Sequence, residues 1–500
     1  MSTAAPVPTF HGPWPPGVPW GRHWLGPARP ASVVTVAAVA GAAAVAALSL
    51  PLDEAGVGWL ITAVAAVTAV MIAGVVPPYV GPPPLVSRPR PPLGAERIAW
   101  GAASVALLAV GTFRSAGWLF VLCVLVSTLT GVLALTGGRS MRSIYAACTM
   151  PGLAAFRAVP WLTRGLTGLN RSGARIALTA LVAVAMLLVF GALLASADIY
   201  FATALQRLVP DLGVDTLFRW IFVGGCAAAL IGGAAFLRAA PPHLSELDGT
   251  EGRRVNRWEW AVPLGLLTLL FIAFVAVQVV VLVRGDRLPG AYADAARSGF
   301  FQLSWVTGLT LIVLAGAARW APRERPADRL LFRVILGTLT ALTLVIAATA
   351  LHRIMSYTAE FGLTRLRLLV FCCELWFVFV LLLVLVAGRR LRAPWLPRIA
   401  IAAGVLALLG LAVVNPDGLI AERNVHTGNH PIDLEYLGDL SPDAVPAVLG
   451  LPPEQRDCVL GRLSFQLDRT SGDWRAFNLG RERARDVIDQ QLGGRSWKCE

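Results

Sequence analysis

Charge is scarce in this chain. Only 15% of its 500 residues are Asp, Glu, Lys or Arg, while 56% are hydrophobic, and the mean hydropathy is +0.65. A soluble domain of this length needs far more polar surface, so the composition excludes one and predicts a polytopic membrane protein. Lysine is nearly missing, with Lys498 the single instance, so the net charge of +13 belongs to arginine. Those arginines stand in short clusters between long apolar runs. That distribution marks membrane threading and excludes a phosphate-binding face, so no nucleic acid partner is expected. Also missing are a phosphate loop, a zinc-binding helix, a Gly-x-Ser-x-Gly elbow and a fixed-period repeat. No catalytic set, metal site or cofactor is therefore expected, and the balance tilts away from an enzyme.

What is there is apolar sequence in span-sized pieces. A crossing takes about 20 mainly apolar residues, and eleven stretches approach that: 31–50, 57–77, 98–113, 116–136, 176–196, 217–237, 260–283, 300–319, 334–354, 367–388 and 398–414. The third is the weakest and meets the fourth at Arg114–Ser115. The expected fold is an all-α polytopic bundle of about 11 spans over 31–414. A Pro-rich disordered segment, 1–30, precedes it and a small soluble helical module, 415–500, follows. With the N-terminus cytoplasmic, 24 arginines fall in inside connectors and 9 outside. That bias predicts N-inside, and an odd span count puts the tail outside. Trp14, Trp20 and Trp24 are expected at headgroup level. The stretch 143–175 reads either as an interfacial helix, with Arg157 and Arg164 reaching headgroups, or as a buried loop.

One polar stretch interrupts the apolar pattern. "RIMSYTAEFGLTRLRLLVFCCELWF" (353–377) places His352, Arg353, Tyr357, Glu360, Thr364, Arg367 and Glu374 around the ninth and tenth spans. Gly362 fits a helix end and Thr364 the next cap, so "EFGLT" predicts a tight turn. Arg353, Arg365 and Arg367 are expected to snorkel to the interface. Glu374 is ten residues beyond Thr364, about 15 Å deeper along a helix. A carboxylate near mid-bilayer is costly unless paired or protonated, and Arg367 and His352 are its nearest sequence candidates. Glu374 is then either a working group, such as a proton carrier, or a buried pin between helices. Gln278, Gln302 and Ser304 are the other polar residues placed to bond between spans. No charged row and no pair of broken helices accompanies them, so the transporter signature is incomplete.

After Leu411 the composition changes. Residues 415–500 carry a net −4, leaving +17 on the rest. Ser441-Pro442-Asp443 reads as a helix start. A second helix is expected from Pro453, and a third from Asp473 whose apolar stripe is Trp474, Phe477, Val487 and Leu492. Cys458 and Cys499 are the tail's only cysteines, and a tail outside the cytoplasm allows them either to pair in a disulfide or to stay apart. The other five (Cys123, Cys148, Cys226, Cys372, Cys373) read as packing residues. His426 and His430 lie near Asp433 and Glu435, but Gly428 and Pro431 break any shared helix face, which favours a solvated loop over a metal site.

The segments "YTAEFGLTRLRL", Cys373-Glu374-Leu375-Trp376, "NPDGLIAERN", "IDLEYLGDLSPDAVPAV" and "DWRAFNLGRERAR" together resemble a bacterial, commonly actinobacterial, polytopic membrane family of unknown function (DUF4173/DUF4153-like). The likeness covers roughly span five onward. It implies a multi-helix inner-membrane core with a short helical C-terminal segment, and no catalytic residues. Three readings stay open. They are a scaffold or sensory envelope component with protein partners not identifiable from sequence, a transporter or channel using Glu374, and an enzyme on lipid or cell-wall precursors. In each the lipid bilayer is the one partner the sequence names.

Overall fold

The computed structural model describes residues 26–27, 29–75, 94–166, 214–242, 256–284, 291–321, 325–390, 393–426, 432–470 and 472–493, with Trp24 and scattered helical positions between 179 and 201. Every regular element among them is helical. The fold is all-α. Eleven long helices come first: α1 (Val33–Ser49), α2 (Val57–Val75), α3 (Ala95–Phe113), α4 (Gly117–Thr136), α5 (Met141–Leu166), α6 (Val214–Ala239), α7 (Arg257–Arg284), α8 (Ala291–Trp320), α9 (Pro326–Phe361), α10 (Arg365–Arg390) and α11 (Leu396–Val414). Five shorter ones follow: α12 (Pro416–His426), α13 (Leu434–Gly438), α14 (Val445–Val448), α15 (Pro453–Asp468) and α16 (Leu479–Leu492).

Among the described residues, eight helices (α2, α4 and α6 to α11) are long and apolar enough to cross a membrane. This falls short of the expected eleven, each shortfall for a separate reason. The stretch 176–196 lies mostly outside the described residues. Helix α1 is only 17 residues long. In α3, Glu96 and Arg97 occupy the first turn and shorten its apolar run. Both nevertheless extend between the same two ends as their neighbours. Helix α1 starts where Ala31 N–H donates to Trp161 O (3.3 Å), and its far end leads to Glu54, which pairs with Arg481 of the tail. Helix α3 starts where Arg97 reaches Thr136 O and ends where Arg114 donates to Ala412 O (2.6 Å) and Val413 O (2.8 Å).

Among the described residues, three large apolar cores and two small clusters hold the helices. Of the large cores, one joins α1, α2, α5 and α6, another joins α7 to α10, and the third runs from α3, α4 and α11 into the C-terminal helices. Side chains outside these cores stay exposed although large and apolar: Leu266, Leu269 and Leu270 on α7, or Leu406 on α11. Water would oppose that arrangement and lipid tails do not.

The stretch 143–166 is a helix rather than a loop. It starts beside Gly138, and its last turn approaches Ala31, so both ends of α5 meet the same end of the bundle. Helix α5 therefore lies across that end, with Phe156 and Tyr145 outward. Arg157 does not reach outward as expected. Its Nη1 donates to Trp24 O (2.8 Å) and its guanidinium stacks over the Trp24 ring. Trp24 is itself buried, edge-on to Phe236, with its indole N–H on Ala240 O. Trp14 and Trp20 lie outside the described residues.

In the tail, α15 begins at Pro453 as expected, and Pro442 opens a short 3-10 turn. The third expected helix is cut in two. Residues 474–476 form a 3-10 turn and α16 begins only at Leu479, because Asn478 takes the cap position by accepting from Arg481 N–H (3.1 Å). The buried stripe of α16 is Ala484 and Ile488, while Trp474 and Phe477 stay exposed.

Candidate functional site

The structure separates the seven residues of the charged hairpin. His352 and Glu360 are exposed, and Arg353 donates to Gln278 Oε1 (3.3 Å) on α7. Three residues form the turn. Gly362 has φ 74° and ψ 172°, a conformation open essentially to glycine alone. Thr364 Oγ1 accepts the Arg367 N–H (3.4 Å), capping α10. Arg367 returns to the carbonyls of Phe361 and Gly362 and lies over the Tyr357 ring at 4.4 Å. Arg367 thus closes the turn and does not reach Glu374.

Glu374 is buried, 1% exposed, between α8 and α10. Thr307 donates to its Oε1 (3.0 Å), Ser304 lies beside it, and Oε2 has no hydrogen-bond partner among the described residues.

The dense polar network lies elsewhere, where the C-terminal helices meet the bundle end. Asp417, in the first turn of α12, is fully buried. It receives Arg365 Nε (3.1 Å) and Nη2 (2.6 Å), Trp118 Nε1 (3.1 Å) and Ser441 N–H (2.9 Å). Arg365, expected to snorkel, is therefore an ion-pair partner in a two-pronged contact. Asp443 accepts Ser115 N–H (2.7 Å), and its own N–H donates to Ser115 Oγ (3.3 Å). Asn478, fully buried, donates to Gly111 O (2.7 Å) and Arg114 O (2.8 Å) at the end of α3. Arg481 pairs with Glu54 (3.1 Å) and donates to Ala55 O (2.6 Å) in the α1–α2 connector. Asn424 exchanges two hydrogen bonds with Leu363 in the α9–α10 turn. One patch thus clamps three connectors and the end of α11.

Electrostatics divides the two aspartates. Burial pushes the Asp417 carboxyl up, but the Arg365 guanidinium and the Ser441 N–H outweigh it and hold the group below its usual value. At Asp443 burial prevails over the Ser115 hydrogen bonds, and the carboxyl rises. A pocket of about 360 Å³ opens beside this junction, between Ser115, Trp118, Arg365, Asp439, Gln466 and Arg481.

None of Asp417, Asp443, Asn478 or Arg481 stood out in the sequence as a site residue. All four sit inside the segments that carried the family resemblance: "NPDGLIAERN", "GDLSPDAV" and "DWRAFNLGRERAR". Cys458, on α15, is not among the free thiols, and Cys499 lies outside the described residues. His426 ends α12 with Nδ1 on Glu422 O (2.9 Å), while His430 lies outside the described residues.

Apolar helices of spanning length, tied at one end by a helical cap, define a polytopic α-helical membrane protein. The chain belongs to the family described as domain of unknown function (DUF4153), which matches residues 102–451, from α3 to just before α15. The match starts earlier than span five, and the segment "DWRAFNLGRERAR" lies beyond its end. No curated protein and no solved structure matches the chain.

Proposed function

We propose that the chain is a scaffold or sensory component of the bacterial inner membrane, with its N-terminus cytoplasmic and its C-terminal module outside the cytoplasm. One observation carries the reading. The tail helices are clamped to several connectors through buried ion pairs and shared caps, so a force or ligand acting on the module is transmitted to the spans. Arginine asymmetry supports the orientation. The runner-up, a transporter or channel, draws its support from Glu374, a carboxylate buried between two spanning helices.

Glu374→Gln separates the two. Gln keeps the acceptor for Thr307, so in the scaffold reading this variant rescues the phenotype of a deletion strain at wild-type protein levels, while Asp417→Ala does not. Loss of rescue by Glu374→Gln, at unchanged amount and thermal stability, overturns the scaffold reading and leaves the transporter. The membrane-enzyme reading draws less support, since His352 and Glu360 are exposed while Glu374 is buried.

We also propose that Cys458 and Cys499 are joined in a disulfide, as the compartment allows. In intact cells a membrane-impermeant thiol reagent should label the tail only after mild reduction, and Cys458→Ser should expose Cys499 to it without reduction. Labelling that requires lysis would put the module on the cytoplasmic side.

A further inference from the structure

Among the large aromatics that the C-terminal helices leave exposed are Trp474, at 56%, and Phe477, at 45%. Their height relative to the bilayer is fixed by a backbone contact. Phe477 O accepts the N–H of Val57 (2.9 Å), the first residue of a spanning helix. Gly56 permits the approach, since a Cβ there would lie 2.6 Å from the Arg475 carbonyl oxygen and the Ala476 Cα. The 3-10 turn therefore sits at the depth where α2 enters hydrocarbon. The neighbouring Leu52, in the α1–α2 connector, is also exposed, at 51%. Further along α2, Val64 and Val67 are exposed as well.

We propose that Trp474 and Phe477 insert into the headgroup layer of the same bilayer the spans cross, so that the module is seated in the membrane surface. A ring with an apolar body and a polar edge is stable at that depth, and interfacial tryptophan is the usual occupant. The occupant is lipid rather than a partner protein because the turn that carries the exposed rings is hydrogen-bonded to the first residue of a spanning helix. This also accounts for the break at Asn478: a continuous helix from Asp473 would turn these rings into the module's own stripe.

The test uses the full chain in vesicles of phosphatidylethanolamine and phosphatidylglycerol doped with lipid brominated either near the headgroup or near the chain end. Emission of wild type minus Trp474→Phe isolates Trp474 from the other tryptophans. Shallow bromines are expected to remove about half or more of this difference signal and deep bromines far less. Phe477→Trp, which adds an emitter in the same turn, should show the same order. A difference signal untouched by either lipid overturns the proposal. If water-soluble quenchers then reach it, the rings face solvent; if they do not, protein covers them. Stronger quenching by deep bromines overturns the assigned depth.

Discussion

Asp417→Ala is expected to release the C-terminal module from the bundle while leaving the spans assembled. The substitution removes one partner of a buried ion pair and the acceptor of two further donors, Trp118 Nε1 and Ser441 N–H. Breaking such a pair from one side costs several kcal/mol, chiefly because the remaining charge is stranded. Arg365 keeps a third of its side chain exposed and can turn to water, so the loss belongs at the lower end, about 3 kcal/mol. Amide exchange in α13 to α16 should then accelerate by about two orders of magnitude, read by mass spectrometry on the protein in nanodiscs. The exposed pair Arg462–Glu435 is the control, and Glu435→Ala should change exchange little. Equal effects from the two substitutions would remove Asp417 from the account. Acid should act in the same way. The folded-state pKa of Asp417 is depressed, so its contribution is present above the usual carboxylate range and is lost as pH falls through the folded value. Asp443 has a raised pKa and the opposite sign, giving stability as pH falls through its value. Docking should therefore hold or tighten in mild acid and fail only in strong acid, and Asp417→Ala should abolish the strong-acid limb alone.

The bundle was legible because lipid and water select residues by one property over long windows. The run at 116–136 reappears as α4, and that at 398–414 as α11, within a few residues. The turn at Gly362 and the cap at Thr364 were legible because both act within four residues of chain. The junction was not, because its partners are far apart in sequence: Asn478 binds carbonyls more than 360 positions earlier, and Arg481 reaches Ala55. A carboxylate such as Asp417, just past the last apolar run, is costly next to hydrocarbon, and the sequence does not show that Arg365, 52 positions earlier, offsets that cost. Glu374 drew attention for the same reason, since burial of a carboxylate is visible from apolar neighbours while its partner is not. Helical periodicity also misled at 473–492. The apolar spacing of Trp474, Phe477 and Val487 suits one helix, but Asn478 satisfies two helices only by interrupting the chain between them.

That double duty gives Asn478→Ala an effect close to that of Asp417→Ala. Its Oδ1 caps the first turn of α16, and its Nδ2 satisfies two carbonyls at the end of α3, where no intrahelical donor is left. The lost cap is worth about 1 kcal/mol. The two carbonyls left dry in a fully buried site raise the total to about 3 kcal/mol. Asn478→Asp distinguishes capping from bridging. Aspartate caps a helix start as well as asparagine does, so a pure capping role would leave this variant near wild type. Bridging demands the opposite, because a carboxylate has no donor for Gly111 O and Arg114 O and would be repelled by both. The expected result is that Asn478→Asp exposes α16 and the α3–α4 connector to exchange at least as much as Asn478→Ala. Protection retained in Asn478→Asp would confine the residue to its own helix and leave the link between module and spans to the ion pairs.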